Sequence, residues 1–182
     1  VKRSAHSRDV VDAAIAGEFA ALLKGVGFRK AARNWRRRVS EPVQTQIVNV
    51  QASSFNMHEL GLVTINLAVY DEMFQAAAER HIESGYLLDV GEPVERICVI
   101  RTRVGRLLPL SPPQIDHWWN VTPRTDANRL SRTLAETISD IGLPWFEKMR
   151  DRKAAITFMK QVGCHPKVLN DVKSQLTRQK SS

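Results

Sequence analysis

The residue types best placed to do chemistry are arginines and side-chain amides. Arg101 and Arg103 stand two apart in a segment rich in Ile and Val. On a β-strand that spacing sends both guanidiniums to one face, where Asn66 and Gln51 from neighbouring strands join them. Forked guanidiniums beside amides suit a carboxylate, a phosphate or an acidic protein surface. The competing reading pairs these arginines with internal acids such as Glu92 or Glu95, leaving a merely wet face. Trp35 and Arg37 are added to the same candidate ligand-binding face.

A second constellation is the run from Arg29 to Arg38, where Arg29, Lys30, Arg33, Arg36 and Arg38 surround Trp35. Arginines that neutralise phosphates, with a tryptophan stacking on a base for about 1–3 kcal/mol, make a nucleic-acid surface the alternative. Lys173, Arg178 and Lys180 near the C-terminus would extend it. The competing reading is a solvated edge strand whose like charges prevent edge-to-edge pairing, with Trp35 turned inward.

Other chemistry finds little support. Asp116 and His117 are neighbours, but adjacent strand residues point to opposite faces, which is poor geometry for a base and its orienting acid. One of Trp118 and Trp119 is expected in the core and the other against a sheet edge. His6, His58, His81 and His165 have no metal-ligand spacing, and no metal or cofactor is expected. Cys98 and Cys164 form no CxxC pair. Cys98, among Ile97, Val99 and Ile100, reads as a small core residue, and two unpaired thiols suit a reducing cytoplasm. No nucleophile elbow, P-loop or dinucleotide fingerprint occurs, so no catalytic residue is named and a binding module is favoured over an enzyme.

The elements that must position these residues follow from periodicity. Val11, Ile15, Phe19, Leu22 and Val26 lie on one stripe of an opening helix, capped by Ser7 and ended by Gly25 and Gly27. Strands are expected over 34–39, 43–51, 62–70 and 94–104, with Glu41-Pro42 turning the first pair into a hairpin. Leu62 to Tyr70 alternates most cleanly. A short helix is expected around Met73 to Arg80, then irregular chain with Gly85 and Gly91. The prolines at 109, 112 and 113 mark a connector, and Leu130, Leu134, Ile138 and Ile141 a helix stopped by Gly142 and Pro144. Short helices follow through Trp145 to Met149 and Ala155 to Val162, then a last amphipathic turn or two with Val168, Leu169, Val172 and Leu176. The chain should fray from Gln179.

These elements predict one α+β domain over residues 1–182. It has an antiparallel sheet of about four strands, with an N-terminal helix and a helical C-terminal third on one face. The core spans about 7–162, and 163–182 reads as a basic helical extension. With 182 residues the chain is long enough to bury a core without disulfides or metal. No apolar run approaches a membrane span, and the first nine residues lack the apolar core of a signal peptide, pointing to a cytoplasmic protein. The net charge of +8 favours acidic or nucleic-acid partners without choosing between them.

Taken in order, Gly27-Phe28-Arg29-Lys30, Trp35-x-Arg37, Val48-Asn49-Val50-Gln51, Thr64-Ile65-Asn66-Leu67, Arg101-x-Arg103-Val104-Gly105, Trp118-Trp119 and Leu143-Pro144-Trp145-Phe146 resemble an uncharacterised bacterial domain family. The resemblance spans about Ser7 to Gln161. It implies an α+β fold and bacterial origin, and it implies no activity. The expectation is therefore a binding module that uses the sheet face left uncovered by helices. Its partner would be an acidic protein or an anionic ligand, as for an immunity-type protein that neutralises an acidic toxin, with nucleic acid as the alternative.

Overall fold

The computed structural model describes residues 6–53, 60–81, 92–109 and 115–180. The expectations placed on Gly85, Gly91, Pro112 and Pro113 and on the last two residues lie outside these. A six-stranded antiparallel sheet forms the middle of the molecule. Its strands are β1 (Arg29–Ala31), β2 (Asn34–Ser40), β3 (Val43–Ala52), β4 (Gly61–Tyr70), β5 (Ile100–Arg103) and β6 (Trp119–Val121). The path runs β1-β2-β3-β4-β5, and β6 also pairs with β4. β4 thus has two partners along one edge, β5 opposite Asn66 to Val69 and β6 opposite Gly61 to Val63.

The alternation of β4 is what makes it central. Val63, Ile65, Leu67 and Val69 are all buried, and with Val48, Val50 and Ile100 they form the floor of the main core. Helices cover that floor: α1 (Ser7–Ala14), α2 (Glu18–Gly25), α3 (Glu72–His81), α4 (Ala127–Thr137), α5 (Leu143–Arg150), α6 (Arg152–Gln161) and α7 (Pro166–Lys180). The α+β class and the one-sided helical layer match the sequence reading. The strand number is larger than expected because β1 and β6 have only three residues each, too short to show alternation.

Four local expectations are corrected. The opening helix is broken into α1 and α2, and the Phe19 amide at the start of α2 donates to Ser131 Oγ of α4 at 3.1 Å. The helix starts one residue earlier than expected, with His6 rather than Ser7 as its cap. Gly142 and Pro144 do not stop a helix. The α4 rod widens into a π turn at Ile138–Gly142 and continues into α5, with Pro144 directly after the widened turn, where the i→i−4 ladder that proline cannot join is already rearranged. Gly142 is there for close approach: a Cβ would lie 2.9 Å from Ile138 Cδ1 and 3.6 Å from Leu67 Cδ2 of the sheet.

Lastly, the C-terminal segment is a full helix of 15 residues packed on α3, and Val168, Leu169 and Val172 join the main core. It is integral to the fold, not an appendage. Arg80 and His81 of α3 both reach Asp171 of α7, at 2.9 and 3.1 Å. Between β4 and α3 an ion pair with a buried carboxylate and a half-buried guanidinium ties sheet to helices. The Asp71 side chain is fully enclosed, accepts from Arg152 at 3.0 Å and from Gln44 at 3.0 Å, and caps α3 through the Met73 amide.

Candidate functional site on the open sheet face

Registration of the strands decides which side chains meet. Asn34 lies opposite Asn49, Asn49 opposite Asn66, and Asn66 opposite Arg103, so one row of polar residues crosses β2, β3, β4 and β5. The row stands on the face turned away from the helices. Its amides are linked: Asn49 Nδ2 donates to Asn34 Oδ1 at 3.0 Å, and Asn66 Nδ2 donates to Asn49 Oδ1 at 3.1 Å and Gln51 Oε1 at 2.9 Å. Asn66, at 4% exposure, is the fixed centre of the chain, whereas Asn34, Asn49 and Arg103 are half-exposed.

Arg103 ends the row in a built corner. Its Nη1 donates to Asp116 Oδ2 at 2.9 Å, and its guanidinium lies 5.1 Å from the Trp118 ring centre. Stacking of a planar cation on an aromatic face holds the fork in one orientation. Arg106 approaches the same carboxylate oxygen at 3.8 Å, and Asp116 Oδ1 accepts from the His117 amide at 3.0 Å. Gly105 is essential to this arrangement. A Cβ there would collide with the His117 carbonyl and stand 2.6 Å from both Asp116 Oδ1 and the His117 nitrogen. The segments Arg103-Val104-Gly105 and Trp118-Trp119, remote in sequence, are therefore one structural unit.

The expected site residues are divided by the fold. Arg103, Asn66 and Gln51 are brought together. Arg101 shares their face but is engaged elsewhere, donating to the Arg96 carbonyl at 3.0 Å and lying 3.6 Å from Glu95. Trp35 and Arg37 are corrected: strand parity puts them on the helix-covered face. Trp35 is 1% exposed and meets Phe19 edge-on at 5.2 Å. Arg37 forks onto Gln46 Oε1 at 2.9 and 2.6 Å and also reaches the Val26 carbonyl. Burial lowers the Arg37 pKa, opposed by Glu147.

The open face is also less open than expected. In the next row, Arg29, Arg36, Ile47, Ala68 and Arg101 are mutually opposed, and a turn at Glu95–Ile97 covers its apolar centre. Ile47, Ala68, Ile97 and Cys98 form a small second core there. Arg36 holds one side of this flap through the Pro93 carbonyl at 2.6 Å and Glu92 at 3.1 Å, while Arg101 holds the other. Burial pushes the Cys98 thiol up to about 12, with Glu95 adding to the effect. Cys98 packs in this small core.

The basic run is similarly sorted. Arg29, Arg36 and Arg38 share the open face. Lys30 lies over the Trp35 ring at 5.2 Å, and Arg33 pairs with Asp12. Lys173 lines a separate cleft between α6 and α7 with Lys153 and Ile156. Sequence reasoning missed Asn34, Asn49, Gly105, Asp116 and Trp118. Only Asn49 carried a usable signal, since it has the same strand parity as Gln51.

Fold and site together define a small α+β domain with one helix-covered sheet face and one face carrying an amide and arginine row. The chain belongs to the DUF4304 family, a domain of unknown function, whose model matches residues 19–148. No curated protein and no solved structure matches it. Among the described residues there is no metal-ligand cluster and no helix long and apolar enough to cross a membrane.

Proposed function

We propose that this chain is a non-enzymatic bacterial binding module of the cytoplasm that holds a partner protein against its open sheet face. The observation that carries the reading is the in-register row Asn34, Asn49, Asn66 and Arg103. The row spans three interstrand spacings, about 14 Å, with half-exposed Asn34 and Asn49 on one side of the buried Asn66 and half-exposed Arg103 on the other, a separation suited to a polar protein surface more than to one small anion. Its end carries Arg103 and Arg106 on either side of the Asp116 carboxylate, and the chain's net charge of +8 adds to the attraction of an acidic partner surface. Two free cysteines, one with a raised thiol pKa in a core, fit a reducing compartment.

The test is affinity capture from nuclease-treated lysate with the intact chain and with an Arg103→Ala, Asn49→Ala double variant. A protein retained by the former and released by the latter supports the reading. Equal retention by both overturns it. The nucleic-acid alternative would rest on the exposed Arg29, Lys30 and Arg38 and on the C-terminal basic residues, with Trp35 enclosed in the core.

A further inference from the structure

The edge formed by β1 and β2 concentrates charge in a way the sheet does not need. Arg29 and Arg36 are directly opposed across the two strands, and Arg38 follows Arg36 on the same face. Like charges in directly opposed positions destabilise a strand pair. These residues, with Lys30, Thr45 and Glu92, line a concave cleft of about 680 Å³. Arg36 is spoken for by Glu92 and the Pro93 carbonyl. Arg29 and Arg38 are exposed and, among the described residues, have no carboxylate partner.

We infer that this cleft is a phosphoryl-binding site in which Arg29, Arg36 and Arg38 share one phosphate group and the Glu92 carboxylate occupies part of it until the anion enters. The chemistry favours phosphate over a second carboxylate. A tetrahedral dianion has enough acceptor oxygens to engage more than one guanidinium fork, whereas Glu92 satisfies Arg36 alone. Glu92 has a side chain 77% exposed, so it can leave Arg36 without disturbing the core. Arg36 stays tied to the Pro93 carbonyl, so the flap is kept in place as the carboxylate is displaced. This site lies apart from the Arg103 corner and stands or falls independently of the partner-protein reading.

The experiment is calorimetric titration of the full chain at low salt with inorganic phosphate, pyrophosphate and a mixed-sequence single-stranded oligonucleotide. Pyrophosphate should bind, and Arg29→Ala and Arg38→Ala should each weaken it about tenfold without lowering the melting temperature. Glu92→Gln should tighten it several-fold, which a purely structural role for Glu92 would not produce. Affinity for inorganic phosphate should rise as its charge increases through a pKa of roughly 6 to 7, because the arginines remain protonated. Oligonucleotide binding that is lost with the same arginines assigns the phosphate to a nucleic-acid backbone. Binding of the small anions alone assigns it to a phosphorylated small molecule. Absence of binding to all three probes, or binding that Arg29→Ala and Arg38→Ala leave intact, overturns the inference.

Discussion

Two polar groupings stand on opposite faces of the same sheet and differ in how they are closed. On the helix side, Asp71 is wholly buried and its carboxylate is satisfied from within by Arg152, Gln44 and the Met73 amide. On the open side, the chain from Gln51 through Asn66 and Asn49 to Asn34 is linked internally but ends in half-exposed groups, with Arg103 at its other flank. A buried polar group without partners costs more than its hydrogen bonds return, so the enclosed carboxylate is satisfied from within, although Gln44 Oε1 beside it is buried without a partner. A network at a surface can leave valences for something else. The polar residues of the first grouping are consumed by the fold, and those of the second keep hydrogen-bonding capacity at the surface.

The sharpest way to break that contrast is at the closed network. Asp71→Ala leaves Arg152 and Gln44 without their carboxylate and should cost about 3 kcal/mol or more in urea denaturation. A loss below 1 kcal/mol would mean that the two groupings are not energetically different. Next in size is Gly105→Ala, where overpacking against Asp116 and His117 should cost about 1–3 kcal/mol. It should also turn Trp118 away from Arg103, read as a change in tryptophan fluorescence. An unchanged spectrum would show that this corner tolerates the extra atom.

Arg103→Ala should lower stability by no more than about 1 kcal/mol, because its pairing is part-exposed, while abolishing partner capture. A large loss of stability would move Arg103 into the structural class.

The smallest expected effect concerns the α3 to α7 clamp. Hydrogen bonds from Arg80 and Gln175 hold the Asp171 carboxyl below its ordinary pKa, so the folded chain binds that proton more weakly than the unfolded one. The clamp's contribution is therefore present above the unfolded value near 4 and is lost as pH falls through the lower folded value. Asp171→Asn should flatten the melting-temperature profile in that window. An unaltered profile would remove Asp171 from the account.

The half-buried Arg37 shows where sequence reasoning failed. Composition places it with Arg103, but Trp35, Arg37 and Val39 lie on the same sheet face as Val48 and Val50 of β3, and only the register makes that visible. Trp118 and Asp116 were unreadable for a different reason. Their contact with Arg103 depends on Asp116 and His117 lying against Gly105, and no local pattern announces a close backbone approach.

What the sequence determined by itself is the set of elements with a strong local period: the amphipathic opening stripe, the hairpin of β2 and β3, the alternating β4, and the one-sided helical layer they require. Periodicity encodes which face of an element is apolar, and burial of those faces suffices for an α+β domain. Tertiary structure alone decided the short strands β1 and β6, the flap over Ile47 and Ala68, and the continuation through Pro144. It also decided which arginines are neighbours. Those outcomes rest on register and on contacts between segments far apart in the chain, where a shift of one residue would send every side chain of a strand to the other face.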